Sequence, residues 1–268
     1  MPAVELTLVG GGRMGEALLT GLLHAGWAAP SELVVVEKVD ERRQELAARF
    51  PAVRIEADLV PADGVVVAVK PGDVEAVCAA VAAAGTSRVL SIAAGVTIST
   101  LEAALGSGVA VVRAMPNTPA LVGAGAAAIA PGSTAGEDDL EWAASILSAV
   151  GTVVRLPEHL LDAVTGLSGS GPAYVFLVAE ALIDAGVLVG LPRDVSATLA
   201  TQTLLGAARL LTETGDTPEA LRAMVTSPGG TTAAGLRALE SAGVRAALLD
   251  AVAAATARSK ELGRPSPR

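Results

Sequence analysis

A short glycine-rich stretch near the N-terminus carries the clearest chemical signal in the sequence. Gly10, Gly12 and Gly15 give the spacing G-x-G-x-x-G between an apolar run and a helix-like segment, and Arg13 and Met14 lie within the motif. The first glycine permits a tight turn, the second lets the backbone approach a pyrophosphate, and the third allows the helix to pack closely on the strand. The spacing therefore predicts a dinucleotide site at the start of a helix, although glycines also serve ordinary strand-to-helix turns.

The residue that ends the second apolar run bears on which dinucleotide is bound. Glu37 is placed to accept a hydrogen bond from the adenine ribose, and its charge would repel the 2′-phosphate of NADP. Lys38, Arg42 and Arg43 follow closely and could instead hold that phosphate. The stretch could equally be a solvated charged surface. The sequence thus predicts NADP(H) or NAD(H) as cofactor and leaves the preference open.

Three further stretches lie where later apolar runs end, and they contain Val69, Lys70, Pro71, Ala94 and Asn117. Ligands of open α/β sheets bind at the carboxyl ends of the strands. These loops are therefore expected to line the nicotinamide half of the crevice. The alternative is that they only form turns.

Side chains suited to other chemistries are scarce. The chain has two histidines, His24 and His159, and one cysteine, Cys78, so no zinc or disulfide site is expected. The segment around Ser168 departs from G-x-S-x-G at its last position, and no P-loop motif is present. A bound cofactor is therefore expected to supply the difficult chemistry, with no metal.

A second glycine-containing turn, Ser227–Thr232, precedes a predicted helix in the C-terminal half. The N–H groups of Gly230, Thr231 and Thr232 would face outward at the positive end of that helix, where a small carboxylate could bind. The alternative is that a threonine simply caps the helix. Glu158 is expected to be a helix N-terminal charge, or a carboxylate that meets a cationic substrate nitrogen.

Short apolar runs alternate with helix-sized segments through the first part of the chain, which is typical of a parallel sheet covered by helices on both faces. The predicted strands are 6–9, 33–36, 64–69, 88–92, 109–113 and 126–130, and the predicted helices are 13–25, 40–50, 73–84 and 137–150. The fold class is therefore α/β, with an N-terminal Rossmann-type parallel-sheet domain.

After Leu156 the strand pattern stops and helical stretches follow, beginning near residues 157, 171, 192, 218, 231 and 244. We place a domain boundary there, with residues 1–155 as the dinucleotide-binding domain and 156–268 as an all-α domain. The stretches 174–179 and 200–211 hold too few polar residues for exposed helices. A partner subunit is therefore expected to cover them.

Composition narrows the class further. The 268 residues are 51 % hydrophobic but only 2 % aromatic, and the net charge is −9. The uncharged stretch 114–136 contains three prolines and four glycines and is excluded as a membrane span. The N-terminus shows no basic, signal-like region, so a cytoplasmic location is expected. No basic patch suggests nucleic-acid binding, and a small-molecule substrate is expected.

Several blocks together resemble one family, pyrroline-5-carboxylate reductase. In the first half they are the glycine turn, the loops 68–71 and 91–96, and the stretch Arg113–Pro119. The second half adds Asp162–Tyr174 and Val225–Thr232, which are highly specific to that family. The resemblance covers nearly the whole chain.

The resemblance implies NAD(P)H-dependent reduction of the cyclic imine 1-pyrroline-5-carboxylate to L-proline. It places Gly230, Thr231 and Thr232 at the substrate carboxylate and ring nitrogen, with Thr232 nearest the imine, and lets Glu158 approach substrate. It also implies that the nicotinamide side of the cofactor is lined by Val69, Lys70, Ala94 and Asn117. The resemblance further implies that the helical domain forms a homodimer and that dimers assemble into rings. Relatives often carry an Asn/Ser-Arg pair where this chain has Glu37-Lys38.

Two other hypotheses remain at this point. A hydroxy-acid dehydrogenase of the same fold class usually carries a Lys or His base in its second domain, which here offers only His159 and Lys260. A regulator that binds NAD(P) without turnover is the non-enzymatic alternative.

Overall fold

The computed structural model describes residues 4–263, and eight strands in this range form one sheet. The strands are β1 (Leu6–Val9), β2 (Leu33–Val36), β3 (Arg54–Glu56), β4 (Gly64–Val67), β5 (Arg88–Ser91), β6 (Ala110–Met115), β7 (Gly125–Pro131) and β8 (Gly151–Arg155). Their order across the sheet is β3-β2-β1-β4-β5-β6-β7-β8. The strand order reverses between the neighbouring strands β1 and β4, and a crevice forms at the carboxyl ends of the strands at such a point, as in a Rossmann-type fold.

The sheet is mainly parallel, as predicted, and departs from parallel pairing at β7. This strand runs antiparallel to β6, and β8 runs parallel to β7. The link between β6 and β7 is only residues 116–124, with a 3-10 turn at Thr118–Val122. A parallel crossover needs about a dozen residues or more, so this short link turns the chain back on itself.

Helices cover both faces of the sheet, as the continuous apolar strands predicted. They are α1 (Arg13–Ala25), α2 (Asp40–Arg49), α3 (Val74–Ala83), α4 (Ile98–Leu105) and α5 (Glu137–Ser148). Successive residues of β4 show the division: Val66 packs in the core under α1 and α5, while Val65 and Val67 pack in the core under α3 and α4. All three valines are fully buried.

The sequence pattern missed three elements for identifiable reasons. Strand β3 is a three-residue edge strand of polar character, Arg-Ile-Glu, without an apolar run. Strand β8, Gly-Thr-Val-Val-Arg, has no fully buried residue and only two consecutive apolar residues. Helix α4 has eight residues and begins at a Thr97 cap, whose side chain accepts a hydrogen bond from Thr100 N.

The remainder of the described chain is helical. A 3-10 turn at Glu158–Leu160 leads into α6 (Leu161–Val164) and a π turn at Thr165–Gly169, followed by α7 (Gly171–Leu188), α8 (Arg193–Glu213), α9 (Pro218–Met224), α10 (Thr231–Ser241) and α11 (Val244–Leu262). The six predicted helix starts lie at or within a residue or two of these elements.

The described residues form two compact units. The first runs to Ser170 and resumes at Ala254, and the second is Gly171–Ala253. The division falls after the predicted boundary at 155/156 because residues 158–170 pack on the sheet. Leu161 is buried beside Ala128 and Ala130 of β7. In the returning end of α11, Ser259 Oγ donates to Asp162 Oδ1 at 2.6 Å.

The second unit exposes an unusual amount of apolar surface. Among the described residues, twenty of the twenty-seven exposed large hydrophobic side chains lie between Gly171 and Ala253. On α7, which buries no residue, Phe176 is 62 % and Leu188 is 86 % exposed. A concentration of exposed apolar side chains on one unit is typical of an interaction surface.

One continuous stretch, Glu158–Leu188, is long and apolar enough by length and composition to cross a membrane. Its uncharged part lies between Asp162 and Glu180 and is shorter than the about 20 residues that a membrane span needs. The longer uncharged run, 114–136, contains strand β7 and is not a helix.

Candidate active site

The glycine turn joins β1 to α1 with the geometry that the spacing predicted. Gly10 has φ +111°, and a Cβ there would lie 2.5 Å from the Ala68 carbonyl oxygen. A Cβ on Gly15 would overlap the Gly10 carbonyl oxygen, whereas a Cβ on Gly12 would meet nothing within 4 Å. Two glycines are therefore required by packing. Gly12 instead leaves an open approach to the start of α1.

The N-terminus of α1 is free of side-chain capping. Gly12 is its N-cap residue and, lacking a side chain, makes no capping hydrogen bond. The first N–H groups of a helix have no partner within the helix and attract anions. This open cradle fits a pyrophosphate, and Arg13, exposed in the first turn, adds positive charge.

Glu37 is tied to the glycine turn by its side chain. Its Oε2 accepts a hydrogen bond from Gly11 N at 3.0 Å, and its Oε1 accepts one from Val39 N at 2.9 Å. The carboxylate is therefore fixed at the end of β2, next to the turn that faces the anion.

Arg42 and Arg43 are both engaged by protein groups. Arg42 Nε donates to Gly11 O at 2.8 Å, and its guanidinium pairs with Glu16 and Glu45. The hydrogen bonds from Glu45 and Glu16 raise the pKa of Arg42 above its usual value. Arg43 Nη1 donates to the carbonyl oxygens of residues 37 and 38 and pairs with Asp40 through Nη2. Arg42 therefore links α2 to the glycine turn, and Arg43 links α2 to the loop after β2.

A cavity of about 530 Å³ lies at the carboxyl ends of β1, β2 and β4. Six predicted cofactor residues line it: Gly10, Gly12, Glu37, Lys38, Val69 and Lys70. The cavity is also lined by residues that belong to no recognised motif, among them Val39, Ala57, Asp58, Leu59, Asp73, Ala76, Val77 and Ala80. The loop 57–59 was missed because it follows β3, an edge strand that carries no apolar signal.

The other predicted cofactor residues lie outside the lining of this cavity. Arg13, Met14 and Gly15 form the first turn of α1, and Pro71 begins the 3-10 turn Pro71–Asp73. Ala94 is exposed just after β5, where it follows the buried Ala93.

Asn117 joins the loop after β6 to the π turn and to the start of β7, all in the first unit. Its Nδ2 donates to Ser168 O in the π turn at 3.0 Å, and its Oδ1 accepts from Ala126 N at 2.8 Å. The side-chain amide therefore makes protein contacts at both ends. It fixes the loop after β6, which the sequence assigned to the nicotinamide wall.

Glu158 is held by two donors of the same unit. Its Oε1 accepts from Arg113 Nη1 at 2.8 Å and from Ile98 N at 2.7 Å. The Arg113 side chain is only 10 % exposed and that of Glu158 is 33 % exposed. Glu158 thus neutralises the buried guanidinium of Arg113 and accepts a hydrogen bond from the first N–H group of α4. A structural role follows from these contacts, in addition to the substrate contact that the resemblance implied.

The turn before α10 supplies the second candidate site, in the other compact unit. Gly229 has φ +68°, and Gly230 is the N-cap of α10, with no side-chain capping bond. Neither Thr231 nor Thr232 caps the helix, so the alternative reading of these threonines as caps is not supported. Their N–H groups and hydroxyls remain at the positive end of an uncapped helix.

Nucleophilic and metal chemistry find little support in the described range. Cys78 is fully buried on α3, and burial raises the pKa of its thiol to about 11. A thiol with so high a pKa is a poor nucleophile near neutral pH. Residues 4–263 contain no group of three His, Cys, Asp or Glu side chains arranged to hold a metal ion.

Comparison with known proteins places this architecture. Residues 158–262 match the family model for pyrroline-5-carboxylate reductase dimerisation, and residues 5–95 match that for the coenzyme F420-dependent NADP oxidoreductases. A pyrroline-5-carboxylate reductase from Methanosarcina acetivorans is 46 % identical over 266 residues, covering 97 % of this chain and 98 % of that protein. The chain belongs to the pyrroline-5-carboxylate reductase family.

Solved structures agree with this assignment. A pyrroline-5-carboxylate reductase from Coxiella burnetii superimposes with a TM-score of 0.92 at 37 % identity, over 98 % of this chain and 100 % of that one. The Plasmodium falciparum pyrroline carboxylate reductase, solved with NADP bound, gives a TM-score of 0.85 at 31 % identity and the same coverage. The pyrroline-5-carboxylate reductase family thus accounts for both compact units.

Proposed function

We propose that the chain catalyses the reduction of 1-pyrroline-5-carboxylate to L-proline with NADPH or NADH, the last step of proline biosynthesis. The observation that carries the proposal is the open glycine cradle at α1 in a chain that matches this family over 97 % of its length. The NADP-bound relative supports a nicotinamide dinucleotide in that cradle.

The bound dinucleotide supplies a hydride to the imine carbon, and the ring nitrogen takes up a proton. The chain binds and orients the two reactants. The N–H groups at the start of α1 hold the pyrophosphate, and Glu37 holds the adenine ribose. The N–H groups of Gly230, Thr231 and Thr232 hold the substrate carboxylate. A protonated imine is already electrophilic, so positioning supplies most of the rate enhancement.

Thr232 is the proposed catalytic hydroxyl. We expect Thr232→Ala to lower kcat/KM for pyrroline-5-carboxylate by about 100-fold, the usual scale for losing one positioned donor. The dissociation constant for the cofactor should stay unchanged, because Thr232 lies on α10 and the cofactor cradle on α1. Steady-state kinetics and calorimetric cofactor titration would check both expectations.

Two variants control this experiment. Thr232→Ser keeps the hydroxyl and should restore most of the activity. Thr212→Ala removes a hydroxyl that bonds only within its own helix, to Ala208 O and Arg209 O, and should act like the parent. An equal loss of cofactor affinity in Thr232→Ala would show that the residue belongs to the cofactor site instead.

The same assay separates the remaining functional hypotheses. NADH or NADPH oxidation that depends on pyrroline-5-carboxylate identifies the reductase. Oxidation of either cofactor only in the presence of a 2-oxo or 3-oxo acid would identify a hydroxy-acid dehydrogenase. Cofactor binding without turnover of any of these substrates would identify a regulator.

We further propose that the active form is a cytoplasmic homodimer that can assemble into a ring of dimers. The dimerisation model spans the helices that expose Phe176, Leu177 and Leu188, and a second copy would cover those faces. Sedimentation of the wild-type chain should show no monomer at micromolar concentration, and Phe176→Glu should shift it toward monomer. A stable wild-type monomer would contradict this proposal.

A further inference from the structure

We propose that the chain selects NAD(H) over NADP(H), and that Glu37 is the residue that discriminates against the 2′-phosphate. This inference rests on the proposed reductase function, since it concerns the cofactor of that reaction. It goes further by naming the preferred cofactor and the side chain responsible. The NADP-bound relative shares only 31 % of its residues with this chain, so the preference must be argued from this chain's own side chains.

The position of the Glu37 charge is fixed by the protein. Both carboxylate oxygens accept backbone hydrogen bonds, from Gly11 N at 3.0 Å and from Val39 N at 2.9 Å. The side chain also packs against the turn, because a Cβ on Gly11 would lie 3.3 Å from Glu37 Cβ. The carboxylate therefore cannot turn away from the cavity that it lines without losing these bonds.

A carboxylate in this place can still bind a ribose. Two carboxylate oxygens offer about four lone-pair directions, of which the backbone uses two. The remaining ones can accept hydrogen bonds from the ribose hydroxyls of NAD(H). A 2′-phosphate replaces the hydroxyl donor by an acceptor with a charge of about −1.5 to −2. The Glu37 carboxylate would then face a group of like charge that offers no hydroxyl donor.

The arginines that could offset this repulsion are already paired. Arg42 donates to Gly11 O and forms ion pairs with Glu16 and Glu45. Arg43 donates to two backbone carbonyl oxygens and pairs with Asp40. A 2′-phosphate would have to compete with these partners for either guanidinium. Arg42 is bonded to the glycine turn and Arg43 to the loop after β2, so releasing either guanidinium would also break a bond that holds the lining of the cavity.

The remaining charges around the cavity do not favour an additional anion. Among the described residues that line it, the acidic ones are Glu37, Asp58 and Asp73, and the basic ones are Lys38 and Lys70. Both lysines are exposed. Holding a long, flexible lysine against a phosphate costs side-chain entropy, whereas Glu37 is already in place.

Direct binding measures the preference without turnover. Calorimetric titration of the wild-type chain should give a dissociation constant for NAD⁺ at least tenfold below that for NADP⁺. ADP-ribose and its 2′-phosphate should show the same order, because they carry the same difference without the nicotinamide. The ratio should narrow as salt rises from 50 to 300 mM, since salt screens charge repulsion. Equal or tighter binding of NADP⁺ by the wild-type chain would overturn the proposal.

Variants assign the effect to Glu37. Glu37→Gln removes the charge and keeps one acceptor, so it should tighten NADP⁺ binding by about tenfold and weaken NAD⁺ binding severalfold. Glu41→Gln makes the same change on the exposed surface of α2, outside the cavity, and should move the ratio by less than twofold. An unchanged ratio in a folded Glu37→Gln variant would also overturn the proposal. If that variant does not fold, the wild-type ratio still decides.

The ratio of the dissociation constants for NAD⁺ and NADP⁺ is measured independently of the proposed reductase function. Absence of substrate-dependent oxidation with either cofactor would refute the reductase assignment and leave the binding ratio intact. Conversely, efficient turnover with preferential binding of NADP⁺ would support the reductase and refute the role of Glu37.

Discussion

A Gly12→Val variant should bind NAD(H) or NADP(H) at least about 100-fold more weakly than the parent and melt at the same temperature. Gly12 has φ −68° and ψ −176°, a conformation that valine adopts readily, and a Cβ there would meet nothing within 4 Å. The free protein therefore has no reason to lose stability. The bound pyrophosphate, by contrast, must approach the backbone where the new side chain would stand.

The magnitude follows from affinity arithmetic. A hundredfold loss corresponds to about 2.7 kcal/mol, which is modest for a valine side chain placed against a phosphate that cannot move away. Calorimetric titration gives the affinity, and thermal unfolding monitored by circular dichroism gives the stability. Cofactor binding by Gly12→Val at the parental affinity would mean that the anion does not use this turn.

Gly15→Ala is the contrasting variant. Its Cβ would overlap the Gly10 carbonyl oxygen, so the turn and α1 must separate to admit one methyl group. Stability and cofactor affinity should fall together in this variant, because overpacking of this kind costs about 1–3 kcal/mol. Substitutions at the two glycines of one motif are thus expected to act differently. A change at Gly12 lowers cofactor affinity alone, whereas a change at Gly15 lowers the stability of the fold and cofactor affinity with it.

Glu158→Ala should destabilise the protein by about 2–3 kcal/mol, which lowers the melting temperature by roughly 5–10 °C for a chain of this size. The substitution leaves Arg113, with only 10 % of its side chain exposed, without a counter-charge. It also removes the acceptor of Ile98 N at the start of α4. We place the loss below the usual 3–5 kcal/mol for a buried pair because Glu158 is one-third exposed.

Two controls sharpen this prediction. Glu158→Gln keeps an oxygen for both donors and should recover about half of the loss. Glu137→Ala breaks an ion pair with Arg155 whose side chains are 64 % and 42 % exposed, and it should change stability by less than about 1 kcal/mol. A Glu158→Ala variant with parental stability but impaired turnover would instead assign the carboxylate to substrate.

Much of the first compact unit could be predicted from the sequence because its signals are local. Predicted and observed bounds coincide for β1, β2 and α1, since each is a continuous apolar or amphipathic run that ends at a glycine or a charged residue. The glycine turn could also be predicted, because its spacing indicates which position needs space and which needs close packing. Contacts between residues far apart in sequence could not be predicted in this way.

The cofactor cavity shows where local reading stops. Arg42 and Arg43 appeared able to hold a phosphate, and only the folded chain shows that Glu16, Glu45 and Asp40 engage them. Glu16 lies 26 residues from Arg42 in sequence, beyond any helical or strand periodicity. Likewise, Asn117 gave no sign that its amide would bridge Ser168 and Ala126.

The return of α11 to the first compact unit has a consequence for how the chain is made. During synthesis from the N-terminus, all strands of the sheet are made early. Asp162 can accept its hydrogen bond from Ser259 only after a further 97 residues have been synthesised. The second unit is therefore translated as an insertion, and the first cannot be completed until that insertion has left the ribosome. During synthesis, folding is expected to pause with the sheet formed and the Asp162–Ser259 hydrogen bond still missing. The first unit is then completed when the C-terminal part of α11 reaches Asp162.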